Sequence, residues 1–363
     1  MKIIINLLNF TSENITGTGY FMKRIFELLN AQNTKEISFY IFHSSNIDVR
    51  KIFSINEQLD VTYKSVKYMT NIGLRILYEQ LVLPFYLSGY EVFYSPTPAV
   101  PVLFRFNNTK IIATIHDLIP FYIKDKYSFI RRLYVRWITK KSAKNSDSII
   151  TVSNNSCCDI VKVLGIKEKK ISIVYNFLSN RNFVKSKISK NYFITICTIE
   201  PGKNLSNLLK AFKIFKDRYD KLDFKLYIVG KKGWDYEQVF YLHTVLELQD
   251  HVIFTGYISE EEKNVLIQES MAMLYLSAYE GFGIPPLEAM YWNKPSIVSN
   301  TSSLPEVVGK AGIQCDPYNL EEIAESMARI IMEKDELCDK IPCQLRKFEP
   351  TEQVNKFLQI IKM

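Results

Sequence analysis

Two glutamates flank a short glycine- and proline-containing segment, Tyr279-Glu280-Gly281-Phe282-Gly283-Ile284-Pro285-Pro286-Leu287-Glu288-Ala289-Met290, which follows an apolar stretch ending at Ser277. Glycine lets backbone approach a ligand closely, and proline suits the first turn of a helix, where an N–H would have no partner. The segment therefore predicts a strand, a tight loop lined by amides and a helix N-terminus. The unpaired N–H groups and dipole at such an end attract an anion such as a phosphate. Glu288, in the first turn, is placed to hold ribose hydroxyls, and Glu280, across the loop, to reach a sugar. A plainer reading stays open, in which Glu288 complements the helix dipole and Glu280 caps a turn.

Other positions carry weaker signals. His116, followed by Asp117 and Pro120, fits a loop at the carboxyl end of a parallel strand, where doubly wound sheets bind ligands; a hydrogen-bonded core histidine is the alternative. Gly17 and Gly19 follow a first strand, but position 22 is Met, so the dinucleotide fingerprint is incomplete and a nicotinamide enzyme loses support. The two glycines are left as a loop that admits a phosphate or an acceptor to the first helix. Ser303-Leu304-Pro305-Glu306 has capping-box spacing and predicts plain helix initiation, with its backbone facing a base or ribose as a further use. The chain has no G-x-x-x-x-G-K-[ST] loop and no Asp-x-Asp pair to hold a metal-bound sugar nucleotide, so no essential metal is expected.

Short β-branched runs alternate with longer amphipathic stretches, the mark of βαβ units and of parallel sheets covered on both faces. Strands are predicted at Lys2 to Leu8, Ser38 to His43, Val92 to Ser95, Ile111 to Ile115, Ser148 to Val152 and Ile171 to Tyr175. A lysine-rich stretch, 179–191, reads as a linker. A second series follows at Tyr192 to Thr198, Lys225 to Val229, Val252 to Phe254, Met273 to Ser277, Ser296 to Ser299 and Gly312 to Cys315. The expectation is an α/β chain of two doubly wound domains, 1–178 and 192–350, facing a cleft, with an amphipathic helix over 351–363 returning to the first domain.

Several of these segments, taken in order, resemble the retaining GT-B glycosyltransferases of the family-4 type. The Glu280-to-Glu288 segment is similar to their E-x7-E region. Thr198-Ile199-Glu200-Pro201-Gly202-Lys203-Asn204-Leu205, Val229-Gly230-Lys231-Lys232-Gly233-Trp234, Phe254-Thr255-Gly256-Tyr257 and Ser302-Ser303-Leu304-Pro305-Glu306 extend the resemblance through the second half. Gly17-Thr18-Gly19-Tyr20, Tyr94-Ser95-Pro96 and Thr114-Ile115-His116-Asp117 carry it through the first. The resemblance implies a GT-B fold of two Rossmann-like domains, the N-terminal one for acceptor and the C-terminal one for the nucleotide-sugar donor. It implies transfer of a hexose to a hydroxyl with retention of anomeric configuration. Lys203 would neutralise the donor diphosphate, Glu288 would bind the ribose, and Glu280 with Gly281, Phe282, Gly283 and Ile284 would hold the sugar. His116 would lie near sugar and acceptor. One departure is Gly202, where such proteins commonly carry Arg; Lys231 and Lys232 could compensate, or be simply solvated. Ile284-Pro285-Pro286 is similar to mannosyltransferases of surface-polysaccharide and O-antigen assembly, so GDP-mannose is the expected donor and a UDP- or dTDP-sugar the alternative. A phosphorylase would need a much longer chain. A non-catalytic nucleotide-sugar-binding protein on the same scaffold is the remaining rival.

Composition narrows the partners. The net charge of +8 over 363 residues is uneven: residues 1–180 carry 23 Lys and Arg against 13 Asp and Glu, leaving the second half at −2. The basic half is the one suited to an anionic partner, but no nucleic-acid-binding motif accompanies it. Between Tyr127 and Lys144, Phe129, Ile130, Leu133, Tyr134, Trp137 and Ile138 recur at helical spacing among Arg131, Arg132, Arg136, Lys140, Lys141 and Lys144. This predicts a basic amphipathic helix, either an anionic-membrane contact near a lipid-linked acceptor or a core helix with a solvated face. No apolar run approaches the roughly 20 residues of a membrane span, and Met1 to Leu8 reads as a strand, so a cytoplasmic protein, peripheral at the membrane, is expected. The six cysteines lack metal-site spacing and are expected to be reduced.

Overall fold

The computed structural model describes residues 1–104, 108–123, 128–179, 184, 189–219 and 223–363. Most of its strands are short apolar runs buried on both faces, as expected where helices cover a parallel sheet. In the first half they are β1 (Lys2–Leu7), β2 (Ser38–Ser44), β3 (Val61–Val66), β4 (Val92–Ser95), β5 (Lys110–Thr114), β6 (Ser148–Thr151) and β7 (Ile171–Ile173). The second half supplies β8 (Tyr192–Ile196), β9 (Lys225–Val229), β10 (Val252–Gly256), β11 (Ala272–Tyr275), β12 (Ser296–Ser299) and β13 (Gly312–Cys315).

These strands form two parallel sheets, one of seven strands ordered β3-β2-β1-β4-β5-β6-β7 and one of six ordered β10-β9-β8-β11-β12-β13. Each belongs to its own unit, the first comprising Met1–Ser179 with Phe348–Met363, the second Asn180–Lys347. Both are doubly wound Rossmann-like folds. In each sheet the strand order reverses once, between β1 and β4 and between β8 and β11. Connections leaving the carboxyl ends of such a pair run to opposite faces and leave a crevice, the usual ligand site of this architecture.

Side-chain alternation builds the cores. In the second unit Phe193, Ala272 and Leu274 join Phe212, Phe215 and Phe224 on one face of the sheet, while Ile194, Met273 and Tyr275 pack with Ala289, Val298 and Leu304 on the other. In the first unit the closing helix Pro350–Lys362 buries Val354, Phe357, Leu358 and Ile361. Phe357 meets Tyr94 edge-on at 5.1 Å, and Gln353 Oε1 accepts the Tyr175 N–H at 3.0 Å.

The structure corrects the sequence reading in several places. Strand β3 was not expected, because its VTYKSV sequence lies at the sheet edge with its middle residues exposed and so shows no buried alternation. Phe348 belongs to the first unit and meets Tyr175 edge-on at 5.4 Å. Within the stretch read as a linker, 180–183 and 185–188 lie outside the described residues, as does Tyr127 at the head of the basic helix. That helix, Phe129–Asn145, buries only Ile138, Thr139, Ser142 and Ala143. Phe129, Ile130, Leu133 and Trp137 of its predicted apolar face are exposed.

One buried charge in the first unit is costly. Tyr78–Val82 forms a π-helical turn that turns two successive polar side chains, Glu79 and Gln80, inward. Gln80 donates to Val100 O at 3.0 Å and accepts from Val102 N at 2.8 Å. Glu79 Oε1 accepts one bond, from Asn6 Nδ2 at 3.2 Å. Burial pushes the Glu79 pKa up to about 7, against the opposing pull of Asn6 and Arg75. A carboxyl whose folded pKa is raised loses its proton first in the unfolded chain, so stability falls as pH rises from the ordinary value of 4.5 to about 7. At about 1.4 kcal/mol per unit, the full effect is about 3 kcal/mol. Glu79→Gln keeps the acceptor and removes the charge. It is expected to melt higher than wild type at pH 8 and alike at pH 4.5; identical pH profiles for the two proteins would count against the buried charge.

Candidate active site

The crevice of the second sheet is built from the loops leaving β8 and β11. After β8, Pro201–Lys203 makes a single 3-10 turn and Asn204 takes a left-handed conformation (φ 56°) before helix Leu205–Arg218 begins. Asn tolerates that region better than most residues, and its side chain donates to Pro317 O at 2.7 Å. After β11, the segment Leu276–Gly283 leads into helix Ile284–Tyr291, with Pro285 and Pro286 in its first turn. The two loops are clipped together by Ala278 N–H donating to Gly202 O at 3.0 Å.

This clip brings Lys203 and Glu280, distant in sequence, into an ion pair of 2.5 Å, with side chains only 19% and 14% exposed. Tyr275, the last residue of β11, donates its hydroxyl to Glu280 Oε1 at 3.0 Å and accepts from Lys203 Nζ at 3.4 Å. Burial alone would raise the Glu280 pKa, but the Lys203 ammonium and the hydrogen bonds outweigh it and hold the carboxylate below its ordinary value. Burial likewise opposes the charge on Lys203, and Glu280 reverses it, keeping the ammonium protonated well above its usual range. Burial also pushes the neighbouring Cys197 up to about 12, so it is a thiol and no nucleophile at neutral pH. The result is a fixed positive and a fixed negative charge side by side.

Backbone supports this pair. Gly283 (φ 120°) stands before the first helical residue, and a Cβ there would lie 2.7 Å from Leu304. Opposite, Gly230 (φ 143°) lies so close to the β8 loop that a Cβ would meet Cys197 O at 1.9 Å. Neither position accepts a side chain; Gly281, Phe282 and Gly283 lead directly into Ile284, the first residue of helix Ile284–Tyr291.

Two residues act differently from the sequence reading. Ser303 stands at the N-cap of helix Leu304–Val308 but makes no side-chain cap bond. Its hydroxyl reaches Glu280 O at 3.0 Å and Phe282 O at 2.6 Å, and Ser302 Oγ accepts Glu280 N–H at 3.1 Å. These serines tie down the Glu280 loop, a role that capping-box spacing could not reveal because it depends on two loops meeting. Lys263 was missed altogether. It follows the capping box formed by Ser259 and Glu262, and its Nζ bonds Glu288 Oε1 at 3.2 Å as well as Glu260 at 2.9 Å. Glu288 is buried on the helix that begins at Ile284 and is oriented by that lysine. Lys232, considered as a substitute for the missing arginine, places its ammonium 4.8 Å from the ring centres of both Tyr236 and Phe240.

In the first unit His116 lies just beyond β5. Its Nε2 faces Pro96 O at 3.1 Å, Phe21 meets its ring edge-on at 5.2 Å, and Ser156 Oγ donates to its carbonyl at 3.0 Å. Burial pushes its pKa down to about 4, only partly opposed by the Pro96 carbonyl. His116 is therefore neutral at physiological pH, and because a carbonyl can only accept, its proton sits on Nε2, leaving Nδ1 as a hydrogen-bond acceptor that is only weakly basic. Asp117 Oδ1 accepts Ile119 N–H at 2.9 Å and so shapes the following turn. Gly17 and Gly19 open helix Gly17–Leu28. A Cβ on Gly19 would lie 2.7 Å from Ile15, so this glycine is required by packing, whereas Gly17 faces open space.

Comparisons with known proteins agree with the fold. Residues 178–347 match the family described as Glycosyl transferases group 1, and residues 71–179 match Glycosyltransferase Family 4. An O-antigen chain mannosyltransferase of Salmonella typhimurium is 31% identical over 261 residues, covering 65% of this chain and 72% of that protein. O-antigen chain mannosyltransferase B of Escherichia coli is 27% identical over 59% of each chain. Among solved structures, an Anabaena protein crystallised with UDP and glucose superposes with a TM-score of 0.73 at 15% identity, covering 100% of this chain and 99% of that one. The chain, with its two doubly wound domains, thus belongs to the GT-B glycosyltransferases of the group 1 and family 4 type and is a glycosyltransferase.

Proposed function

We propose that the protein transfers a hexose, with mannose from GDP-mannose as the leading candidate, to a hydroxyl of a lipid-linked or oligosaccharide acceptor in surface-polysaccharide synthesis, with retention. The observation that carries the reading is the Lys203–Glu280 pair at the β8/β11 crevice, beside a glycine loop and a helix N-terminus. The choice of mannose rests on the names of the two O-antigen relatives.

In this reading the departing diphosphate meets Lys203 and the amides of Gly283 and Ile284, which supply positive charge where negative charge develops. Glu280, fixed by Tyr275 and Ser302, accepts from sugar hydroxyls. Glu288, oriented by Lys263, accepts from ribose hydroxyls. His116, neutral with Nδ1 as a hydrogen-bond acceptor, belongs to the acceptor-binding unit and orients the sugar or the attacking hydroxyl. Lys203 and the helix end supply the charge that a metal provides elsewhere, so no metal is required.

Membrane association is part of the proposal. On helix Phe129–Asn145, Ile130 is 80% exposed, Leu133 50% and Trp137 45%, and Arg131, Lys140 and Lys141 are exposed beside them. Arg136 has a different task, donating to Pro120 O and Phe121 O at 2.8 and 3.0 Å. Each exposed basic side chain near an anionic surface contributes about 1 kcal/mol, and insertion of the apolar side chains adds to it.

Three outcomes are expected. Glu288→Gln and Lys203→Ala should each weaken donor binding by roughly 10- to 100-fold, the cost of a charged hydrogen bond. Lys203→Ala should also melt lower, because it strands the Glu280 carboxylate. Adding Glu280→Gln should restore the melting point but not donor affinity; wild-type affinity in the variants, by calorimetric titration with GDP-mannose, would remove the assignment. Transfer should persist in EDTA, and loss reversed by manganese or magnesium would contradict the metal-free reading. In liposome sedimentation, wild type should pellet with anionic vesicles at low salt and less at 1 M salt, where the Debye length is about 3 Å. The variant Ile130→Ser, Trp137→Ser, Arg131→Gln, Lys140→Gln, Lys141→Gln should stay in the supernatant; equal pelleting would show that this face does not bind.

A further inference from the structure

A short helix, Ile119–Tyr122, begins three residues after His116 and is too short to satisfy its own backbone. Its carbonyls are nevertheless bonded one after another. Leu118 O accepts from Phe121 N at 2.8 Å, and Ile119 O from Ile123 N at 2.9 Å. The next two, Pro120 O and Phe121 O, accept from Nε and Nη2 of Arg136 at 2.8 and 3.0 Å. The same guanidinium lies 5.3 Å from the centre of the Phe121 ring. Arg136 reaches across from helix Phe129–Asn145, so one side chain of that helix closes the open end of the helix that follows His116.

Other contacts brace the segment from His116 to Tyr122 at both ends. At its start, His116 O accepts from Ser156 Oγ at 3.0 Å and Asp117 Oδ1 accepts Ile119 N–H at 2.9 Å. At its end, Tyr122 Oη donates to Asp159 Oδ1 at 2.6 Å, and Asn155 Nδ2 donates to the other oxygen of that carboxylate at 3.2 Å. Ser156 and Asp159 belong to helix Asn154–Leu164. Between the two ends, Leu118 is buried in a cluster with Ile115 and with Ala143 of the helix that carries Arg136. The segment is thus held between two helices. The grip on its carbonyls suits arginine, whose planar fork presents two N–H groups in fixed directions, and not lysine, a point charge on a flexible stem.

We propose that Arg136 is a positioning residue for sugar transfer: by gripping Pro120 O and Phe121 O it fixes the segment that begins at His116, and with it the direction in which the imidazole faces the substrate. The proposal rests on the reading of His116 as the group that orients the sugar or the attacking hydroxyl. The ring already spends Nε2 on Pro96 O, so the aim of its other nitrogen is set by where the backbone holds it. A hydrogen bond weakens steeply as its angle opens, and a shift of about 1 Å in a positioned group can cost on the order of 100-fold in rate. The proposed donor contacts lie in the second unit, so the effect of Arg136 falls on turnover and spares donor affinity.

The test uses Arg136→Lys, which keeps the charge and loses the fork, alone and combined with His116→Ala. Carbon–proton NMR of the imidazoles is recorded on each protein, with the His116 signals identified by their absence in His116→Ala. Transfer from GDP-mannose to octyl α-mannoside and calorimetric titration with GDP-mannose are followed on the same proteins. Arg136→Lys should move the His116 signals and leave those of His43, His243 and His251 in place, which also shows that the fold is intact. Turnover should fall about tenfold with GDP-mannose affinity unchanged, and the same substitution should cost nothing further in the His116→Ala protein, since residues acting through one group are not additive. Unmoved His116 signals, wild-type turnover, or an equal loss in both backgrounds overturns the proposal. His116 signals that move in a protein transferring no sugar would uphold the link from Arg136 to His116 and sink the transferase reading instead.

Discussion

A lysine and a glutamate held 2.5 Å apart at the carboxyl ends of β8 and β11 set the character of the second unit. Both charges are largely out of water, where desolvation is expensive and only close pairing with further hydrogen bonds compensates. The surrounding structure serves that requirement. Ala278 clips the two loops, Tyr275 bridges the charges, and Ser302 and Ser303 fix the Glu280 backbone. Pairing of this kind is weak evidence for stability, since an apolar pair of similar size often does as well. In the proposed reaction its value is chemical: Lys203 is kept cationic and Glu280 anionic, in fixed positions, with little reorganisation needed when a diphosphate departs.

The first unit repeats the architecture with different chemistry. Its reversal point carries the neutral amides Asn6 and Asn9, a hydroxyl and one buried carboxyl in place of a buried ion pair. Glu79 has Arg75 nearby but accepts a hydrogen bond only from Asn6 among the described residues, too little to offset burial, and so its proton affinity rises where that of Glu280 falls. Burying such a group sacrifices stability, and proteins retain that kind of cost mainly where function needs the group. Local backbone follows the same logic, since the π-helical turn of Tyr78–Val82 and the positive φ of Gly283 both lie where a side chain or an amide must face a crevice.

Much of this was legible in the sequence, for identifiable reasons. Strands buried on both faces announce themselves as β-branched runs, and β4, β9, β12 and β13 fall where such runs predict. Strand β3 did not, because an exposed edge needs no apolar alternation. Glu280 and Glu288 drew attention through local context, with glycine and proline marking the turns around them, and Lys203 only through the family resemblance. What the sequence hid was pairing between distant segments. Nothing in Ser259 to Lys263 says that the lysine will meet Glu288, nothing in the spacing of Ser303 says that it will bond the Glu280 loop, and Glu79 looks like one more charge in an amphipathic stretch. The basic helix was left open for another reason: helical periodicity of Phe129, Ile130, Leu133 and Trp137 signals an apolar face, but not whether protein or another surface covers it.

The central claim, that the β8/β11 crevice receives a nucleotide diphosphate sugar, is tested most directly by a crystal structure with GDP-mannose bound. The account predicts diphosphate oxygens within hydrogen-bonding distance of Lys203 Nζ and of the amides at the start of helix Ile284–Tyr291. It also predicts ribose hydroxyls on Glu288 and a Lys203–Glu280 separation longer than the present 2.5 Å. A nucleotide bound elsewhere, with the Lys203–Glu280 pair undisturbed, would contradict it.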